Sequence, residues 1–169
     1  QPLLGACDEV VNELPSEAER FAALDKSVQT LLTTMSPFVV EACTQDGLLD
    51  NLAALLAGLE VSRKDLAAYL NAKRRIFPRF NLLCESALLS ILASTPATVI
   101  EAHISEIAQA TGRVRVENDE NDRPVALDFD AAIGDERIKF DRVVRLDGKV
   151  EWYLQTLLKA QATTLRKRL

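Results

Sequence analysis

Residues 47–80 read GLLDNLAALLAGLEVSRKDLAAYLNAKRRIFPRF, and the spacing of their apolar positions decides the fold class. Leu48, Leu52, Leu55, Leu59, Leu66 and Tyr69 alternate steps of four and three, with Ser62 filling one slot. That is the heptad spacing of a coiled-coil-like seam, and it predicts one long helix from about Gly47 to Arg75. At 1.5 Å per residue such a helix reaches about 40 Å, so it needs a neighbouring helix along most of its length. Arg63, Lys64, Asp65, Lys73 and Arg74 fall on its polar face. The helix has to stop at Phe77-Pro78-Arg79-Phe80, because Pro78 has no amide proton and holds Phe77 to extended angles.

Upstream, Pro15 precedes Ser16-Glu17-Ala18-Glu19, the pattern of a capping box in which Ser16 and Glu19 satisfy each other's backbone amides. The helix that follows puts Phe21, Leu24, Val28, Leu31, Leu32 and Met35 on one stripe and is expected to end at Ser36-Pro37. A short helix opened by Pro37 would turn Val39, Val40 and Cys43 inward. Downstream of Phe80, helices are expected at about 85–93, with Leu88, Leu89, Ile91 and Leu92 apolar, and at about 96–110, using Val99, Ile100, Ile104 and Ile107. The period then changes to two. Val114 and Val116 alternate with Arg113 and Arg115, and Val125, Leu127 and Phe129 with Ala126, Asp128 and Asp130. An acidic loop, 117–122, lies between these runs, and Gly134-Asp135 offers a turn before Ile138, Phe140, Val143 and Val144. Alternation with a glycine turn reads as a small antiparallel sheet or hairpin. A last helix from about Lys149 carries Val150, Tyr153, Leu154, Leu157, Leu158 and Leu165. The reading is therefore mainly α: an elongated helical bundle with one long helix and a small antiparallel β-hairpin insert, divided as helical 6–111, β insert 113–146 and C-terminal helix 149–169.

Composition agrees with this. Gly and Pro number only six each in 169 residues and 48% are hydrophobic, so breakers are scarce among good helix formers. A chain of this length buries roughly 70% of its unfolded surface. Net charge is −5, which offers no overall basic footprint for nucleic acid, and no run of 18 apolar residues exists to span a membrane. The opening QPLLGACDEVV does not read as a signal peptide, and both ends look cut from something longer. Cys7, Cys43 and Cys84 are odd in number and widely spaced, so buried, reduced thiols are expected rather than a zinc site.

No catalytic centre emerges. His103, the single histidine, lies in a helical pattern and reads as a packing or surface residue rather than a general base. The glycines form neither of the phosphate-cradling patterns, GxxxxGK[ST] or GxGxxG. No catalytic, cofactor-binding or metal-binding residue is therefore assigned. The cluster Lys73, Arg74, Arg75 and Arg79 fits a helix C-terminus, where cations complement the dipole; an interdomain contact is the other reading. Phe77 and Phe80 pack down at a helix junction or stand out as a docking wedge, with packing favoured.

One resemblance goes further. Asp65-Leu-Ala-Ala-Tyr-Leu-Asn-Ala-Lys73-Arg-Arg-Ile-Phe-Pro-Arg-Phe80 closely resembles the linker of dynein heavy chains, where a helix typically ends in a pattern like YLExKRxxFPRF. The family follows this with a helix beginning in paired leucines. Tyr69, Leu70, Lys73, Arg74, Phe77, Pro78, Arg79, Phe80, Leu88 and Leu89 fall in register with it. Gly148-Lys-Val150-Glu151 followed by Tyr153-Leu154 resembles the family's G-x-V-E-x-W-L, with Tyr153 in the Trp position and Trp152 one residue early. Cys84 stands where the family commonly has Ser, and a thiol caps a helix poorly. Leu14-Pro15 with Arg20-Phe21 is reminiscent of axonemal, outer-arm-type chains.

The resemblance implies a mechanical segment of a microtubule motor, itself without ATPase activity. It would act against the AAA+ ring modules of the same heavy chain and pass nucleotide-driven changes of the ring on as a power stroke. Other dynein subunits and microtubules would be met only through other regions. The implied place is the cytoskeleton, in the axoneme of a cilium or flagellum. On residues alone, a free-standing helical protein-interaction adaptor is the alternative.

Overall fold

The computed structural model describes residues 13–35, 46–134 and 136–168. The expected short helix opened by Pro37, Cys7, Cys43, the side chain of Met35 and the Asp135 half of the glycine turn lie outside the described residues. The chain divides into two compact units, Gln1–Asn71 and Ala72–Leu169.

In the first unit, α1 spans Pro15–Met35 and α2 begins at Leu48 and runs on to Ile76. Pro15 sits in the opening turn of α1, where a missing amide costs nothing, and the Ala18 amide already donates to the Leu14 carbonyl at 3.0 Å. The capping box therefore does not form. Ser16 lies inside the turn, and its hydroxyl donates to Glu17 Oε2 at 2.7 Å instead. Ser27, Thr30, Thr33 and Thr34 each donate to the carbonyl four residues back, so the hydroxyl-rich end of α1 satisfies itself within the helix. Arg20 meets Asp65 at 3.2 Å and Leu24 lies against Gly58, so α1 and α2 run antiparallel.

The contact face of α2 keeps most of the heptad stripe and departs from it at two leucines. Leu48, Leu55, Ser62, Leu66 and Tyr69 are half-buried, whereas Leu52 and Leu59 are 40% and 36% exposed and Gly58, outside the stripe, is half-buried. A Cβ at Gly58 would stand 2.8 Å from Leu24 Cδ2, so α1 comes close where a side chain is missing.

The second unit opens on the last turn of α2. A 3-10 turn follows (Pro78–Leu82), then α3 (Glu85–Ala93) and α4 (Pro96–Ile107). Helix α4 stops short of the expected Ala110, because the Thr111 amide turns back to the Ala108 carbonyl at 2.8 Å and starts a strand. Strands β1 (Thr111–Asn118), β2 (Pro124–Ala131) and β3 (Arg137–Arg145) form an antiparallel sheet in chain order. The expected hairpin thus carries a third strand. Helix α5 (Val150–Arg168) closes the unit.

Simple alternation fails in β2. Val125, Ala126, Asp128 and Phe129 are all buried while Leu127 is half-exposed. An irregularity in the pairing with β3, between Ala126 and Asp128, shifts the register there, and a bulge of this kind re-aims every side chain beyond it. The sheet is also less of an appendage than its sequence suggests. Strand β1 packs on α4 and β3 on α5, and Gln161 donates to the buried Thr111 hydroxyl. Phe80, Leu88, Ile100, Ile107, Leu154 and Leu157 are fully buried in this unit.

Candidate functional site: the proline junction

The chain leaves α2 through a turn whose parts follow from its sequence. Phe77 takes the extended angles that a following proline imposes, φ −127° and ψ 92°, and Pro78 opens the 3-10 turn. The Phe80 amide closes on the Phe77 carbonyl at 3.0 Å. This brings the two rings edge to face, centroids 4.9 Å apart and planes at 73°, an arrangement aromatic quadrupoles favour. Phe77 is 4% exposed and Phe80 0%. The pair is therefore a packed joint, and the docking-wedge reading is set aside.

Arg79 points the other way. Its Nη1 donates to the Ile107 carbonyl at 2.7 Å, so a guanidinium caps the negative end of α4. Pro78 is exposed, Leu70 and Leu88 are buried, and Tyr69, Arg74 and Leu89 are half-buried.

Lys73 corrects the expectation of a solvated polar face. It is 3% exposed, and its Nζ lies 2.8 Å from Oε1 of Glu151 in the first turn of α5, with both side chains almost wholly out of water. Oε2 of Glu151 has no hydrogen-bond partner among the described residues. Two desolvated charges of opposite sign hold each other strongly; remove one, and the other is stranded at a cost of about 3–5 kcal/mol. The pair ties the end of α2 to the start of α5. Glu151 was not singled out as a site residue from sequence. The signal available was its place in the G-x-V-E stretch, but nothing in that stretch names Lys73 as its partner.

The neighbouring aromatics resolve the shifted tryptophan. Tyr153 is buried at 3%, in the position the family pattern gives to Trp, while Trp152 is 61% exposed. Cys84 departs from the buried-thiol expectation. It is exposed and stands at the N-cap of α3, where its side chain caps no amide. The Ser86 hydroxyl lies 3.2 Å from its sulfur and, with the backbone amide of Ala87 second, holds the thiol below its ordinary pKa. His103 is half-buried in α4, and its Nδ1 has no hydrogen-bond partner among the described residues.

The junction thus joins the two stretches that carry the resemblance, 65–80 and 148–154. The family described as dynein heavy chain, N-terminal region 2, matches residues 1–169. The chain belongs to the dynein heavy chain family. This dynein segment is 33% identical over 165 residues to the dynein alpha chain, flagellar outer arm, of Chlamydomonas reinhardtii. It is 33% identical over 165 residues to the ciliary dynein beta chain of Tripneustes gratilla, and 31% identical over 163 residues to dynein axonemal heavy chain 17 of Homo sapiens. Each match covers 94% of this chain and 4% of the relative. The dynein segment therefore spans about a twenty-fifth of the length of the heavy chains it matches, as that 4% coverage states. No described helix is long and apolar enough to cross a membrane.

Proposed function

We propose that these residues are part of the linker of a microtubule-based motor. The linker passes nucleotide-driven changes of the AAA+ ring on as a power stroke, and this segment has no chemistry of its own. The observation that carries the reading is the proline junction. Phe77 and Phe80 are packed out of water, and the Lys73–Glu151 ion pair closes the same joint. A packed, charge-locked joint resists continuous deformation and moves between discrete arrangements, which is what a lever requires. The ATPase, the microtubule contact and the other subunits belong to other regions of the heavy chain. The names of the relatives, flagellar, ciliary and axonemal, favour an axonemal place for the motor. A free-standing helical adaptor is the weaker reading, because the family match runs over all of residues 1–169.

The test is made in the intact motor carrying Phe80→Ala. Microtubule displacement per ATP hydrolysed is expected to fall while ATP turnover persists, because the joint loosens and the ring does not. Unchanged displacement per ATP would reject the mechanical reading. So would robust ATP turnover by the purified segment.

A further inference from the structure

Helix α5 buries Glu151, Tyr153, Leu154 and Leu157. Its other side carries Trp152, Gln155, Lys159, Ala162 and Arg166, spaced by three and four as neighbours on one helix face. Phe77 and Arg79 extend this stripe into an open groove of about 440 Å3, lined also by Leu158, Lys159, Thr163 and Arg166. Among the described residues lining it are three cations and no carboxylate. The one acid of α5, Glu151, is buried against Lys73. In a chain of net charge −5 this is a local reversal of sign. The helix dipole accounts for cations in the last turn of α5, and Arg79 caps the end of α4, but neither accounts for Lys159 in the middle of α5. At the far end of the stripe stands Trp152, 61% exposed, and tryptophan is among the residues enriched where protein interfaces gain most of their binding energy.

We propose that this stripe is a docking face for an acidic protein segment, supplied by the part of the same heavy chain that lies outside these residues. Carboxylates would meet Lys159 and Arg166, and an apolar side chain would cover Trp152. Opposite charge sets the register of such a contact. Its source follows from length: the chain spans 4% of the relatives it matches, so the rest of the polypeptide is tethered to it at high effective concentration. The proposal rests on reading the chain as one segment of a longer heavy chain.

Trp152 is the single tryptophan, so the stripe beside the groove carries its own reporter. The probe is a capped helical peptide of about 18 residues, made of Glu, Ala and Leu, with a control in which Lys replaces Glu. Added to the 169-residue chain, the Glu peptide is expected to shift Trp152 emission to the blue and to saturate. Lys159→Glu combined with Arg166→Glu, both exposed positions, is expected to weaken that binding by about tenfold or more, and the Lys peptide to give no shift. In the intact heavy chain, carbodiimide coupling read by mass spectrometry is expected to join the Lys159 amine to an Asp or Glu of the same polypeptide. Absence of a shift with the Glu peptide, unchanged affinity in the charge-reversed variant, or coupling only to a second polypeptide would overturn the proposal. Displacement per ATP in the motor is read separately, so failure here leaves the mechanical reading standing, and the reverse.

Discussion

Phe80 is part of the buried packing at the junction. It is fully buried and stacks edge to face on Phe77, so Phe80→Ala removes a ring that has no way to be replaced by water. The expected loss is about 3–5 kcal/mol, read by chemical denaturation of the purified chain; a loss under about half a kcal/mol, the size of a surface change, would show that the ring is dispensable. Cys84 behaves in the opposite sense. It occupies the N-cap of α3 without capping any amide, so Cys84→Ser offers the helix an oxygen acceptor at no steric cost. A gain of about 0.5–1 kcal/mol is expected, and a destabilisation would mean that the sulfur makes a contact the hydroxyl cannot. The same serine ends the thiolate chemistry at this position. In the unsubstituted chain, alkylation of Cys84 should reach half its limiting rate at a pH below that of an ordinary thiol, because its ionised form is favoured by the Ser86 hydroxyl and then by the Ala87 amide.

Among the elements, long α-helices were the most legible. Helix α2 was expected from Gly47 to Arg75 and spans Leu48–Ile76, since a sustained period and a proline stop both survive without tertiary knowledge. What pattern could not supply was which neighbour lies against it. Gly58, outside the heptad stripe, admits Leu24, a matter of two helices meeting at one point. The sheet failed for a related reason. Period two assigns faces only while the register holds, and the slip between Ala126 and Asp128 reverses them. Asp128, read as outward, is buried, with Arg115 and Arg137 each 3.9 Å from its carboxylate. Hydrogen bonding to Asp130 first, then the charges of Asp130 and Asp128, holds the Arg137 guanidinium above its ordinary pKa. A second irregularity, between Thr111 and Arg113, brings the Ala131 carbonyl to 2.9 Å from where a Cβ on Gly112 would stand. That neighbour is backbone and cannot swing aside. Gly112→Ala is therefore expected to destabilise the chain by about 1–3 kcal/mol, against the near-neutral outcome usual for an exposed strand position. Equal denaturation midpoints for the two proteins would count against so close an approach.

At the scale of the molecule, Lys73, Phe77 and Phe80, three of the residues marked by resemblance, are buried where α2 ends, and Lys73 meets Glu151 of the second stretch. In motifs 65–80 and 148–154, Lys73 and Glu151 are 78 residues apart in sequence, and no local pattern pairs them. Folding does, by burying both charges at 2.8 Å. The two charges hold each other out of water, and well-packed apolar side chains of similar volume can fill the same space. Replacing both ends by apolar side chains of similar size should therefore keep the joint, while replacing one should strand an ion in the core. The most direct measurement is microtubule gliding speed per ATP hydrolysed by the intact motor bearing Lys73→Met, Glu151→Leu, or both. The account expects each single variant to lower that ratio and the double variant to restore it, with ATP turnover kept throughout. A double variant as poor as the singles, or gliding that falls only in step with turnover, would contradict it.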